Sequence, residues 1–448
     1  MYEVQNAGVL LRLRRGASRR AGGVHVSRTV VLLGLTSMFT DISSEMVAAA
    51  LPLYLVFGLG LTPLQFGLID GIQQGAAALV RVAGGFAGDR WRRHKEVATL
   101  GYGLSAISRL GFPLVGSALT SLSAVVMVDR VGKGIRTAPR DAMISLSSRT
   151  EDLATAFSVH RAMDTAGAML GPVVAFAVLA LAPGGYDAVF VVSFCFAIVG
   201  LAILVLFVRE DSGRHESAAG ARAADAGTRA DAPTAADAGA DGERPTLRSA
   251  LGLLGRRRVG TIVAIGSALA LATVSDGFIY LTLQQRIDFA PTLLPLLYMG
   301  TALVYMVLAV PAGRLADRYG RPRVFLAGYG LLLAVYGLLL VPAGGTVQIV
   351  LCLLLFGGYY AATEGVLMAI SSALLPAALR GTGLALLVTA TSVARIVAAI
   401  GFGALWSQAG TDVAVIAFAA VLATAIAVAA FLFTRVASSQ DDRDVVAT

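Results

Sequence analysis

Charged side chains make up only 14% of the 448 residues, against roughly 25% in an average soluble chain. Hydrophobic residues reach 56%, with 50 glycines besides. That deficit of charge excludes an ordinary water-soluble globule. Cysteine is nearly absent: Cys195 and Cys352 both sit inside apolar runs, so neither a disulfide framework nor a metal-ligand cluster is present. No HExxH, GxSxG or Walker-type loop occurs, and Gly132-Lys-Gly is too short to be one and lies inside an apolar run. No catalytic residue, metal or cofactor is therefore expected. Met1 to Arg28 carries six arginines but lacks a long apolar core ending in a small-residue cleavage site, and is read as a cytoplasmic tail rather than a cleaved leader.

What is there in abundance is apolar length. Twelve stretches, at about 29–57, 63–87, 96–118, 121–145, 152–180, 185–208, 257–283, 291–313, 323–342, 346–374, 381–406 and 411–434, are long enough to span a bilayer as helices. Helix is the only solution that fits, because the runs are too long and too evenly apolar for barrel strands of period two. The fold class expected is an all-α membrane protein of twelve transmembrane helices. The formal charge of +8, which in a soluble chain would suggest nucleic acid, here has another cause, since basic residues collect in cytoplasmic loops. Arg90, Arg92, Arg93 and Lys95 follow the second span, and Arg314, Arg318, Arg321 and Arg323 follow the eighth. The connections near 58–63, 117–121, 181–187, 342–346 and 406–411 have no Lys or Arg, and Arg286 is the one clear exception. Both termini are thus expected inside, in a multi-pass protein of the cytoplasmic membrane, with no nucleic acid as partner.

Residues 209–256 turn abruptly to Ala, Asp, Gly, Arg and Glu, a composition expected to form a disordered cytoplasmic linker. It separates an N-terminal bundle, 29–208, from a C-terminal bundle, 257–435, flanked by tails 1–28 and 436–448. The halves share landmarks. Gly85-Phe-Ala-Gly-Asp89-Arg90 follows span 2, and Gly313-Arg-Leu-Ala-Asp317-Arg318 follows span 8. Asp89 and Asp317 differ by 317 − 89 = 228 positions, and Asp41 and Asp276 by 276 − 41 = 235. Two nearly equal offsets indicate an internal duplication.

The second copy, extended through Tyr-Gly320-Arg321-Pro-Arg323, resembles the signature loop between helices 2 and 3 of the major facilitator superfamily and its echo between helices 8 and 9. The first copy departs from it, with Arg92 where the family has glycine. The resemblance covers residues 29–435. It implies two pseudo-symmetric six-helix bundles, alternating access, and a gating role for Asp89, Arg90, Asp317 and Arg318. The loop has its own rationale: a glycine lets helices approach, an aspartate suits the positive end of a neighbouring helix, and arginines resist being dragged through the bilayer. A topology anchor is the plainer alternative.

Ionisable residues inside the spans carry the functional signal, because each costs at least ~2.5–3.5 kcal/mol to insert and persists only beside a cavity or a partner. Span 1 carries Asp41 and Glu45, four apart on one face, in Thr40-Asp-Ile-Ser-Ser-Glu45. Span 4 reads Asp129-Arg130-Val-Gly-Lys133-Gly-Ile-Arg136-Thr-Ala-Pro-Arg140-Asp141, span 5 adds His160, Arg161 and Asp164, and Asp276, Glu364 and Arg395 lie in spans 7, 10 and 11. By resemblance, helices 1, 4, 7 and 10 line the central cavity, and Arg130 aligns with an arginine associated with proton coupling, although Lys133 replaces the usual glutamine.

Two sets of candidates follow. Asp41, Glu45, Arg130, Asp276 and Glu364 are candidates for proton coupling, and Arg130, Lys133, Arg136, Arg161, Asp164 and Arg395 for binding substrate. Protonation of Asp41 or Glu45 would break an ion pair with the span 4 cations; a permanent salt-bridge network is the structural alternative. Arg109 is assigned to packing or snorkelling, His160 to a satisfied hydrogen bond, and Trp91 and Trp406 to membrane-edge anchoring. Arg161 and Asp164 are close enough in sequence to neutralise each other. Gly171-Pro172 in span 5 partly resembles the glycine-proline motif of family antiporters and is a third gating candidate. The expectation is a monomeric, proton-coupled exporter of a small molecule. The alternatives are a proton symporter importing a small organic anion, and a membrane sensor or enzyme without transport.

Overall fold

Inside hydrocarbon, every backbone N–H and C=O must bond within its own segment. The chain meets that demand with helices, and no strand occurs among the described residues. The computed structural model describes residues 26–91, 93–149, 152–208, 257–342, 344–374 and 380–446, with side chains at all of these except 81–91, 257–258, 373–374, 380–382 and 436–446. Most of the N-terminal tail and the whole linker 209–256 lie outside the described residues.

In chain order the helices are α1 Arg28–Leu53, continued by a π-helical turn Tyr54–Gly58, α2 Pro63–Trp91, α3 His94–Leu114, α4 Leu119–Leu146, α5 Leu153–Leu181 and α6 Tyr186–Phe207. The second half holds α7 in two pieces, Arg257–Leu271 and Asp276–Ile287, then α8 Leu294–Tyr319, α9 Arg321–Leu340, α10 Gly345–Leu374, α11 Arg380–Ala409 and α12 Thr411–Val446. Among the described residues nine helical stretches are long and apolar enough to cross a membrane. Helices α2, α3 and α4, which carry Asp70, Arg109 and the Asp129 to Arg140 cluster, do not meet that mark. The expected crossings therefore appear as helices, but composition alone certifies only nine. The final helix also runs past 435 to Val446.

Local chemistry explains the breaks. Ser27 caps α1 by accepting from the Val30 N–H at 3.3 Å. Gly320, at φ 96°, turns the chain from α8 into α9, a conformation open to glycine but costly for a side chain. The interruption of α7 departs from the sequence reading, in which span 7 is one apolar run. Its freed backbone groups are taken up by Tyr336, whose hydroxyl donates to Ala272 O at 2.9 Å and accepts from Val274 N at 2.7 Å. Irregular backbone survives at membrane depth only with such internal partners. The break sets Asp276 in the first turn of a new helix, at the positive end of its dipole.

Within the first bundle α1 packs chiefly on α5 and α6, and α4 on α2 and α3; within the second, α10 packs on α8 and α9. The two bundles meet through α2 against α11 and α5 against α8. The α2–α11 contact is made close by small residues. A Cβ on Gly67 would fall 2.5 Å from Ala399 O, and one on Gly75 within 2.5 Å of the Ile396 side chain. Leu64 N donates to Ser407 Oγ at 2.9 Å. Beside this seam, Phe66 of α2 enters an aromatic cluster of the other bundle, with its ring 4.7 Å from Phe278, which in turn packs against Phe402 at 4.9 Å and Trp406 at 5.6 Å. Trp406 is thus buried beside the inter-bundle seam, against the rings of Phe278 and Phe402, and is not a lipid-edge anchor. The Trp91 side chain lies outside the described ones.

Replacing Gly67 with valine forces branched bulk against the α11 backbone, where overpacking costs about 1–3 kcal/mol. The expected outcome is a wider separation between spin labels at Thr62 and Gln408, read by pulsed dipolar spectroscopy; an unchanged separation would contradict the close-packed seam.

Candidate functional site

A cavity of about 380 Å³ lies between the bundles. All ten residues singled out for coupling or substrate border it: Asp41, Glu45, Arg130, Lys133, Arg136, Arg161, Asp164, Asp276, Glu364 and Arg395. Placement is not role, but a cavity that all ten residues, from six helices, border explains why they persist at bilayer depth.

The charges fall into layers along α4. At the head of the run, Asp129 is a buried hub. Arg109 Nη2 of α3 lies 2.8 Å from Asp129 Oδ1, and Arg130 donates from Nε and Nη2 to Asp129 Oδ2 at 2.9 and 2.5 Å. Arg109 is 1% exposed and also donates to Ser44 Oγ at 3.0 Å and Ser43 Oγ at 3.3 Å on α1. It does not snorkel. The packing expected of it is instead a polar tie across three helices, because no route to water exists around its head group.

One turn on, the pairs loosen. Lys133 Nζ stands 3.8 Å from Glu45 Oε1, and Arg136 Nη2 stands 3.6 Å from Asp41 Oδ1. Both separations exceed a hydrogen bond. Arg136 also lies over the Tyr102 ring at 4.5 Å, a cation–π contact that holds it independently of Asp41. Further along, Arg140 pairs with Asp141 at 2.9 Å and with Asp164 at 3.7 Å. Arg161 meets Asp164 at 3.7 Å, as their spacing suggests, but shares it with Arg140. His160 is buried and bonded through Nε2 to Ser37 Oγ at 3.0 Å, the satisfied partner expected.

The opposite wall is different in sign. Asp276 accepts a hydrogen bond from the Tyr360 hydroxyl of α10, and Glu364 and Arg395 border the cavity beside it. Among the lining residues outside the sequence candidates are Arg140, Tyr360 and Asp70. Asp70 carries the same signal as Asp276, an acid within a predicted span, and the sequence reading misses it. Asp129 is visible in the span 4 run but masked by the arginines around it.

The gating candidates divide. Asp317 pairs with Arg321 at 3.3 Å, and Arg321 reaches on to Ala369 O of α10 at 3.3 Å. Arg318 lies instead over the Tyr319 ring at 5.4 Å. This loop therefore braces the second bundle internally. The side chains of Asp89 and Arg90 lie outside the described ones. Gly171 lies at the α1–α5 crossing, where a Cβ would sit 2.7 Å from the Glu45 Cβ and 2.8 Å from Ile42 O, and Pro172 follows within the helix.

Two helical bundles around a charged cavity at bilayer depth define a multi-pass membrane transporter. The chain matches the Major Facilitator Superfamily over residues 33–299 and 261–445, and it belongs to that family. It is 28% identical, over 85% of its length and 89% of the other chain, to an uncharacterised MFS-type transporter of Methanocaldococcus jannaschii. A shorter match, 32% identical over 39% of this chain and 41% of the other, is to an uncharacterised protein of Mycobacterium tuberculosis. Among solved structures it is similar to a mutant form of the nucleoside transporter NupG, with TM-score 0.73 at 14% identity over 91% of this chain and 100% of that one. It is also similar to a D-xylose-proton symporter, with TM-score 0.64 at 15% identity over 90% and 96% of the two chains. These likenesses agree on the fold, and with the family they make the protein a transporter and not an enzyme.

The hub predicts an order of stabilities. Asp129→Ala strands two buried guanidinium groups, a loss of about 3–5 kcal/mol for a broken buried pair, whereas Arg109→Ala leaves Asp129 still held by Arg130. Thermal unfolding in detergent should rank Asp129→Ala below Arg109→Ala, and the reverse order would contradict the hub.

Proposed function

We propose that the protein is a proton-coupled secondary transporter of a small organic anion, working by alternating access. One observation carries this: two carboxylates of α1 face two cations of α4 across the cavity at 3.6 and 3.8 Å, looser than the 2.5–2.9 Å contacts around Asp129. Loose pairs at an aqueous wall exchange partners at small cost, while the dry hub does not. An anionic group on the substrate would take Lys133 and Arg136, and the displaced Glu45 or Asp41, left without its cation, would take a proton from the cavity. Substrate and proton then travel together, and release of either restores the pair.

The balance of the wall supports an anion. On the α1, α4 and α5 side, Arg130, Lys133, Arg136, Arg140 and Arg161 line the cavity. Asp129 and Asp141 hold Arg130 and Arg140 closely, whereas Lys133, Arg136 and Arg161 stand 3.8, 3.6 and 3.7 Å from their acids and are the cations an anion would meet. Loosely held cations attract negative charge, and guanidinium groups bind carboxylate or phosphate in forked geometry. The similar symporter is named for D-xylose, an uncharged sugar, so likeness of fold does not fix the substrate.

Export by antiport is the second reading, favoured by Gly171 and Pro172, which set the α1–α5 crossing directly against Glu45. In that mode proton entry at Glu45 would shift the crossing and expel substrate. We further propose the cytoplasmic membrane, with both termini inside and the α2–α11 seam at the outer end, so that the described form is closed to the outside. A monomer suffices, since the cavity is complete within one chain.

The test is a screen of organic anions on proteoliposomes with and without an imposed pH gradient. Gradient-driven accumulation of an anion is expected; accumulation on the opposite side supports antiport. Asp41→Asn or Glu45→Gln should lower gradient-driven transport by roughly tenfold or more, the equivalent of ~1.4 kcal/mol, while substrate exchange without a gradient persists. Wild-type coupling in both variants would remove α1 as the proton site.

A further inference from the structure

The ion pairs of α1, α4 and α5 leave one buried acid unused. Asp70 of α2 is 7% exposed, and its Oδ2 has no partner in hydrogen-bonding geometry. Ser275, in the break of α7, is 8% exposed, and its Oγ is likewise unsatisfied by that geometry. The two belong to opposite bundles, yet Asp70 borders the same cavity as Asp276, the residue that follows Ser275. Phe66, one turn before Asp70 on the same face of α2, fixes where that face points. A Cβ on Gly277 would lie 2.8 Å from the Phe66 ring, and the rings of Phe66 and Phe278 are 4.7 Å apart. The face bearing Asp70 is therefore laid against residues 275–278, and Asp70 and Asp276 both border the cavity.

The charged and polar groups lining the cavity around them come from several helices: Gln73 and Gln74 from α2 itself, Tyr298 from α8, Tyr360 and Glu364 from α10, Glu45 from α1, Arg395 from α11, and Arg130 and Lys133 from α4, which packs on α2. Arg130 is held by Asp129 and Lys133 faces Glu45, which leaves three acids, Asp70, Asp276 and Glu364, against Arg395. Two ionised carboxylates brought together repel each other strongly when water is scarce. Their approach depends on closure of the seam, since one rides on each bundle.

We propose that Asp70 and Asp276 form an inter-bundle proton site, with Ser275 as a hydrogen-bonding partner, whose occupancy decides whether α2 closes on the break in α7. With a proton shared between them the seam closes; with both ionised, repulsion drives the bundles apart at this end. The proton comes from cavity water and returns to it. The site is separate from the α1–α4 pairs, so loss of one does not entail loss of the other.

Trp406 is a native reporter, buried against Phe278 and Phe402 beside the site. Only two tryptophans exist, so Trp91→Phe isolates it. In lipid nanodiscs, Trp406 emission and iodide quenching would be titrated from about pH 9 to about pH 5, a range wide enough to cover a perturbed carboxyl. The expected result is a shift to the protected, blue form as pH falls, with a roughly tenfold change in the open-to-closed ratio, ~1.4 kcal/mol. Asp70→Asn and, independently, Asp276→Asn should hold the protected form at every pH. If Asp70→Asn does not fold, Asp276→Asn carries the same expectation. A parent-like transition in the folded asparagine variants, no transition in the parent, or protection that follows sodium concentration instead of pH would overturn the proposal.

Discussion

An ionised group inside a membrane protein needs either water or a partner of opposite charge, and the first bundle is organised by that requirement. Asp129 satisfies it for two arginines at once, holding Arg109 at 2.8 Å and Arg130 at 2.5 Å. Because Arg109 comes from α3 and also reaches two serines of α1, this one carboxylate fixes how α1, α3 and α4 sit together. The remaining cations of α4 then point at α1 and α5 in a fixed register, about one helical turn apart. A buried pair of this kind adds little net stability against a well-packed apolar substitute. Its value lies in orientation, since it sets which cations face the cavity.

The two bundles are joined by a different kind of contact. Glycines on α2 and α11 bring backbones close enough for dispersion to act over a long seam. Phe66 adds an aromatic insertion worth about 0.5–1.5 kcal/mol per favourable ring pair. Such a seam contains no strong ion pair among the described residues, and it can part without stranding a charge. The ion pairs described above lie within bundles, as with Asp317 and Arg321 in the second, while the seam is crossed by a neutral hydrogen bond from Leu64 N to Ser407 Oγ. This division suits rigid halves that rock about a central site.

Much of this is legible in the linear chain. Apolar runs specify helices because hydrocarbon offers the backbone no other partner, and a charge within such a run is conspicuous against its background. Hence Asp41, Glu45, Lys133, Arg136, Asp276, Glu364 and Arg395 stand out, and all border one cavity. Whether Arg109 snorkels depends on what surrounds it, and here that is Asp129 and two serines, none of which its own span reveals. Trp406 suggests a lipid edge by its position near a span end, but α7 and α11 enclose it with aromatic rings. Asp70 is hidden beside Gln73 and Gln74, where one more polar residue stands out less.

Order along the chain is enough to decide the helical class and the change of composition at 209–256, since each depends on composition within one segment. Membership of the cavity follows from the intramembrane charges. Which acid holds which base, how tightly, and which acids are left over do not, because those depend on angstrom-scale distances between helices far apart in sequence. The break in α7 belongs to the same category. Its residues, Ala272-Thr-Val-Ser275, sit within an otherwise apolar run, and Tyr336, 62 positions beyond Val274, takes up the freed backbone groups of Ala272 and Val274.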